Sequence, residues 1–217
     1  MSLALASGSE HALAGITAAQ LGALFPDPAQ SRDRDRIAAL LPAALARLAP
    51  ILSAAHNFET GRFDHRHSMQ YATWLYLLGN EAWRQGVEPE LAERLFCLNR
   101  ALHALDLFYK LALPEVFFIS HGVGLVLGAT TYGDRLVASQ NVTVGRVSDA
   151  RPTIGARVVL YPGAVVSGRS TVGDGAVIAA GTVVHNFDVP PDTVASMGAD
   201  GPLLRPRTRD FNGLYLA

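Results

Sequence analysis

The chain has 217 residues, 49% of them apolar, with 18 basic and 19 acidic side chains and a formal charge of −1. That is apolar material for one large packed domain or two modest ones. It provides no basic surface for a nucleic-acid backbone, and the apolar runs are too short to span a bilayer, so neither nucleic acid nor membrane is an expected partner. Met1 to Phe25 has neither a basic n-region nor a continuous apolar h-region, which makes a cytoplasmic location the expectation.

In chain order, Ser31 or Asp33 is a capping candidate for a helix through Ile37, Leu40, Leu41, Leu45, Leu48 and Leu52, which Pro42 and Pro50 are expected to kink or end. A second helix is predicted from His67 to about Gln85. It carries Met69, Ala72, Leu75, Leu78 and Ala82 at helical spacing and stops at Gly86. The third starts at Pro89, where a first turn tolerates proline. Its leucines at 91, 95, 98, 102 and 105 form a narrow stripe that faces either its own core or another subunit. The lone cysteine, Cys97, lies in this pattern and reads as a buried inert thiol.

Near Pro114 the pattern changes from helical to short strands and turns. Ile154, Leu160, Val166, Val172, Ile178 and Val184 stand six residues apart. Val158, Ala164, Ser170, Ala176 and Thr182 follow the first five at i+4. A strict period of six needs a backbone that turns after every short strand, so that one aliphatic per hexad points inward and stacks on the next coil. Glycines at 155, 163, 168, 173, 175 and 181 allow the tight turns. Residues 154–189 then hold two coils of a left-handed parallel β-helix, an exception to right-handed crossovers. The expected fold class is α+β: a helical subdomain over 1–112, the β-helix over 113–201, beginning near Leu113, and an extended tail over 202–217. Val144 and Ile154 are ten residues apart, so a loop interrupts the hexads between them.

A second pattern precedes the hexads. Asp106 stands fifteen residues before His121-Gly-Val-Gly, and Leu127-Gly128 and Gln140-Asn-Val-Thr-Val-Gly145 follow. With Gln70 and the Trp83-Arg-Gln-Gly86 ending, this resembles the serine O-acetyltransferase group of hexapeptide acyltransferases over roughly residues 67 to 200. Leu102-His-Ala-Leu-Asp106 is similar to shorter members associated with surface-polysaccharide genes. The resemblance implies acetyl-CoA as cosubstrate and no metal. It makes His121 the general base toward an acceptor hydroxyl, with Asp106 holding the imidazole, since such a hydroxyl attacks a thioester only as its proton is removed. Backbone N–H groups near Gly145 would receive the oxyanion. Without the resemblance, His121 reads as a structural or solvated histidine and Asp106 as a polar helix end.

The resemblance also places Asp64 and His67 beside the acceptor, although a solvated charge or a helix cap explains them equally well. Ser120 stands where serine acetyltransferases carry an aspartate that helps bind the acceptor's amino group. Ala150-Arg151 replace an Arg-His before Pro152 in a shorter loop, and Arg151 and Asp149 remain candidates for the acceptor's carboxylate and amine. The donor's pantetheine arm would run past Gly163, Ala164, Ala180 and Gly181, with Arg205, Arg207 and Arg209 near the phosphates; turn geometry and a solvated tail explain the same residues. The implied assembly is a homotrimer, with the leucine stripe as the candidate seam joining two trimers into a hexamer.

The expected activity is acetyl transfer to serine or a related small hydroxy-amino acid. Two alternatives remain: acetylation of a sugar, and a noncatalytic trimerisation scaffold. A zinc anhydrase on this fold needs three histidines, and only His121 and His185 follow Pro114.

Overall fold

The computed structural model describes residues 3–86, 89–199 and 201–217. The chain folds as two compact units: Met1–Ser53, Phe58–Ala104 and Phe108–Lys110 form one, and Ala54–Asn57, Leu105–Leu107 and Leu111–Ala217 the other.

The first unit is built on four helices, α1 (Glu10–Leu24), α2 (Asp33–Ala54), α3 (Ser68–Arg84) and α4 (Pro89–His103). The sequence reasoning did not find α1. Its buried residues Leu13, Ala14, Thr17 and Leu21 lie among alanines and glycines that blur any apolar stripe, and Ser9 caps it by accepting from Ala12 N at 3.1 Å. Contrary to expectation, α2 runs unbroken past Pro42 and Pro50. The carbonyls left without a donor belong to Ala38 and Ala46, both exposed residues, so water can satisfy them.

Because it is unbroken, the Gln30–Ala54 segment is long and apolar enough to cross a membrane by length and composition, which the short apolar runs had argued against. Its apolar residues Ile37, Leu40, Leu41, Leu48, Ile51 and Leu52 are buried in the helical unit. Arg47, midway along it, is ion-paired to Glu81 at 2.5 Å. Those contacts are those of a core helix.

Helix α3 ends at Gly86, which is left-handed at φ +68° and donates to Trp83 O. Helix α4 packs on α3, and its Leu91, Leu95 and Leu98 are fully buried, while Leu102 is 41% exposed. The leucine stripe therefore faces its own core as far as Leu98. Cys97 is half-buried rather than enclosed; burial, then Glu93, raises its thiol pKa and keeps it protonated.

The second unit is a three-sided parallel β-helix. One side carries Phe117–Ser120, Leu136–Ser139, Val159–Leu160, Val177–Ile178 and Thr193–Gly198, with Gly201–Pro206 added antiparallel. The second carries Asp106–Leu107, Val126–Leu127, Thr143–Gly145, Val165–Ser167 and Val183–His185. The third carries Thr131–Tyr132, Thr153–Ile154 and Thr171–Val172. Both hexad sets point inward: Ile154 through Val184 are at most 1% exposed, and Val158, Ala164, Ser170, Ala176 and Thr182 at most 2%.

Side-chain oxygens at the corners fasten each coil to the one before. Asp134, Asp174, Asn186 and Asp188 accept from the backbone N–H of Val116, Ala156, Arg169 and Thr171 at 2.8–3.1 Å. The corners also align left-handed residues in columns. Ala104, Gly124, Asn141, Gly163 and Gly181 form one, and Arg135, Arg157, Gly175 and Asp192 another.

The β-helix takes in Asp106, which pairs in register with Val126, earlier than the expected start near Leu113. A two-residue strand behind a leucine helix leaves no alternation to read. The last residues do not form an extended tail. Asn212 donates to Arg135 O at 2.7 Å, Tyr215 stacks near Phe118 with ring centroids 5.9 Å apart, and Ala217 N donates to Ala54 O at 2.8 Å. This segment lies against the first side at Phe118 and beside it at Tyr161, and the outward residues Val137, Val159 and Val177 of that side are buried.

Candidate active site

His121 and Asp106 lie on adjacent rungs at one corner of the prism. From Ser120 to Val126 the chain takes six steps, whereas the paired residues of the next coil, Ser139 and Thr143, are four apart. Two extra residues widen the His121 corner. His121 is exposed at φ +57°, and the turn is closed by Val123 N donating to His121 O and Leu125 N donating to Gly122 O at 3.0 Å. The half-buried Asp106 sits one rung away, its N–H donating to Leu125 O at 2.7 Å. Left-handed Gly168 and Asn186 make a third column, and among the described non-glycine residues with positive φ only His121 and Ser148 stand outside all three. Each lies in one of the departures from the repeat.

Ser148 belongs to the loop after Val144. Val144 pairs with Val166 and Ile154 with Val172, so the loop spans ten steps against six in the next coil. Asp149 and Arg151 are exposed on it. Gly145, the last residue before the loop, is in register with Ser167 in the five-stranded side. Ser120 is half-buried, and its neighbours Gly122, Val123 and Gly124 carry no charge.

Asp64 and His67 lie in the helical unit. Both Asp64 oxygens are held by Arg66, through Nε and Nη2 at 2.9 Å, with the Arg66 backbone N–H adding a third bond. The Arg66 side-chain and backbone hydrogen bonds hold the carboxyl well below the usual carboxylate range. His67 is exposed at the N-cap of α3, edge-on to Phe58 at 5.1 Å.

Among the donor candidates, Gly163 and Gly181 are left-handed corner residues, and a Cβ on Gly181 would meet nothing within 4 Å. Ala180 is exposed beside Gly181. Ala164 is fully buried with its methyl in the stacked core, so only its backbone borders this corner. Arg205 is exposed on the antiparallel strand paired with Val194. Arg207 is committed to Asp192 at 2.6 Å, and Arg209 lies over the Phe211 ring.

His185 has partners the sequence did not reveal. Its Nδ1 is 3.0 Å from Ser167 Oγ and its Nε2 is 2.9 Å from Asn186 Nδ2. Asn186 Oδ1 already accepts from Arg169 N–H, so its amide nitrogen must face His185 and donate to Nε2. The ring proton is then on Nδ1, which donates to Ser167 Oγ. In that tautomer the imidazole cannot draw a proton from the serine, so the pair is not a nucleophile with its base. Among the described residues no group of three or more His, Cys, Asp or Glu is placed to hold a metal ion.

Residues 151–186 match the family model described as bacterial transferase hexapeptide (six repeats). The chain is 32% identical to a serine acetyltransferase of Bacillus pumilus over 151 residues, covering 67% of this chain and 68% of that protein. It is 34% identical to a serine acetyltransferase of Synechococcus elongatus over 126 residues, 56% of this chain and 48% of the relative. The chain thus spans about half to two thirds of these relatives' lengths. The fold is similar to a solved serine acetyltransferase from Brucella abortus in complex with coenzyme A, with a TM-score of 0.70 at 21% identity, covering 93% of this chain and 83% of that one. On the hexapeptide match and the Bacillus pumilus relative, this chain belongs to the serine acetyltransferase family of hexapeptide-repeat transferases.

Proposed function

We propose that the chain transfers an acetyl group from acetyl-CoA to the hydroxyl of serine or a related small hydroxy-amino acid, with His121 as general base and Asp106 as the residue that positions its imidazole. The observation that carries this reading is the shared corner: Asp106 is backbone-bonded to the turn that His121 opens, and that turn is two residues wider than its counterpart. The serine acetyltransferase relatives and the coenzyme A complex of the Brucella abortus enzyme support the choice of donor and acceptor.

The acceptor oxygen attacks the thioester carbon as its proton passes to His121. The tetrahedral oxyanion is met by backbone N–H groups near Gly145. Collapse breaks the C–S bond, and the imidazolium returns the proton to the departing thiolate, leaving an acetyl ester and CoA thiol. Asp106 keeps the ring in the required tautomer and offsets the imidazolium charge. No acyl-enzyme is involved, consistent with the His185 tautomer.

Arg151 and Asp149 are assigned to the acceptor. Asp64, saturated by Arg66, and the exposed His67 have the weaker claim to it. The donor arm is assigned to the Gly163, Ala164, Ala180 and Gly181 corner, with Arg205 beyond it. A sugar acceptor is the second reading, favoured by Ser120 and the uncharged turn residues Gly122, Val123 and Gly124.

A homotrimer is part of the same reading. Of the three sides of the prism, one is covered by the chain's own last residues and one presents Thr131, Thr153 and Thr171 to water. The five-stranded side keeps Val126 and Val183 39% and 43% exposed. That is the side a neighbouring copy would cover. Thiol release from acetyl-CoA on addition of L-serine tests the activity, and light scattering tests the assembly.

A further inference from the structure

The last residues of the chain are fastened to the β-helix at several points. Arg207 pairs with Asp192 and Arg157 with Asp210, both at 2.6 Å. Asn212 Nδ2 donates to Arg135 O at 2.7 Å, and Leu216 bridges antiparallel to Ala55. Between these anchors Tyr215 makes three contacts. Its carbonyl accepts from His56 N at 2.9 Å, its ring lies 5.9 Å from that of Phe118, and its hydroxyl is hydrogen-bonded to Tyr161. Burial, then the bond to Tyr161, keeps the phenol neutral, with its pKa pushed up to about 12.

Phe118 belongs to the strand Phe117–Ser120, which forms one edge of the six-stranded side. Among the described residues its only strand neighbour is Leu136–Ser139. A strand paired on one flank lacks the second ladder that holds interior strands and opens more readily. Phe118 points outward, in the row that continues through Val137, Val159 and Val177, so the Tyr215 ring meets this strand on its outer face.

The same edge strand runs directly into His121. Beyond the turn the chain enters Val126–Leu127, an interior strand paired with both Asp106–Leu107 and Thr143–Gly145. The corner thus hangs between a firm anchor at Val126 and a one-sided anchor at Ser120, and its two extra residues add slack. Where the imidazole sits follows from how firmly the strand before it is held.

We infer that the closing segment is a strap that holds this edge strand from outside, and that Tyr215, acting through Phe118, is a positioning residue for His121. This rests on His121 as the general base of the acetyl-transfer reading and extends that reading to a segment outside the catalytic corner.

The test uses Tyr215→Ala together with Tyr215→Phe, which keeps the ring on Phe118 and gives up the bond to Tyr161. Amide hydrogen exchange reads the strand without reference to catalysis. Expected in Tyr215→Ala is exchange about tenfold or more faster at the amides of Phe117–Ser120 that pair with Leu136–Ser139, with Val177–Ile178 unchanged and most of the protection recovered in Tyr215→Phe. Thiol release should show kcat lowered by about tenfold with both KM values unchanged, again recovered in Tyr215→Phe. An unaltered stoichiometry of coenzyme A binding by calorimetry excludes an unfolded fraction as the cause. If Tyr215→Ala does not fold, Tyr215→Leu is measured in its place.

Unchanged exchange at Phe117–Ser120 overturns the strap, as does an equal acceleration throughout the prism, the mark of lost global stability. Local acceleration with an unchanged kcat, or an effect confined to KM, refutes the positioning role. Local acceleration in a protein whose parent releases no thiol with any acceptor upholds the strap and refutes acetyl transfer.

Discussion

The backbone N–H of Asp106 donates to the carbonyl of Leu125 at 2.7 Å, four residues beyond His121. The acid is therefore attached to the far end of the turn that the histidine opens, and the positions of both follow from one corner of the β-helix. A carboxylate fixed to the same rung structure as the imidazole holds its place without depending on a mobile loop.

Replacing His121 by Ala removes the base while leaving the packing intact, since the side chain is exposed. The expected loss is about 10²- to 10⁴-fold in kcat, read by thiol release, with an unchanged melting temperature. Activity near the parent's level would remove His121 from the mechanism.

Asp106→Asn keeps the shape of the side chain and removes its charge. If Asp106 positions the imidazole, kcat falls by about tenfold or more while the acceptor KM stays nearly constant, because the acceptor itself is held elsewhere. A rise in KM with kcat unchanged would make Asp106 an acceptor ligand.

The corner columns predict a contrast between two glycines. A Cβ on Gly133 would come within 2.3 Å of Ala156 N and 2.4 Å of Gly155 C, both backbone atoms, so Gly133→Ala forces two coils apart. Gly181→Ala meets open space and costs only its left-handed φ, about 1 kcal/mol. Urea denaturation should show Gly133→Ala the more damaging by about 2 kcal/mol or more. Ala104→Gly, in the same left-handed column as Gly181, should stabilise by up to about 1 kcal/mol.

In the helical unit, burial lowers the pKa of His103, opposed by its hydrogen bond to Asn99. Asn99 Nδ2 donates to Ala72 O, so Asn99 Oδ1 accepts from His103 Nδ1–H. The folded chain takes up this proton less readily than the unfolded chain. The contribution to stability is thus fully present above about pH 6.5 and declines as the pH falls from there toward the depressed folded value. Thermal melts should lose stability over that interval, and His103→Gln should flatten the loss. An identical pH slope in the variant would refute the assignment.

The hexad register was legible because each inward side chain must fill one slot of a repeating core, and every position from Ile154 to Val184 is buried as that rule demands. Asp106 and His121 are candidates through family resemblance alone, because a two-residue strand and a widened corner leave no periodic trace. The closing segment was misread as extended because Phe211 and Tyr215 are spaced irregularly; their rings meet Tyr161 and Phe118, outside the hexad register.

The most direct test of the central claim is thiol release from acetyl-CoA with L-serine as acceptor, run with the parent chain and His121→Ala in parallel. Turnover by the parent and a loss of about a hundredfold or more in the folded variant are expected. Equal rates in the two proteins, or a parent that binds coenzyme A yet releases no thiol with any hydroxy acid, amino sugar or deoxy sugar, would contradict it.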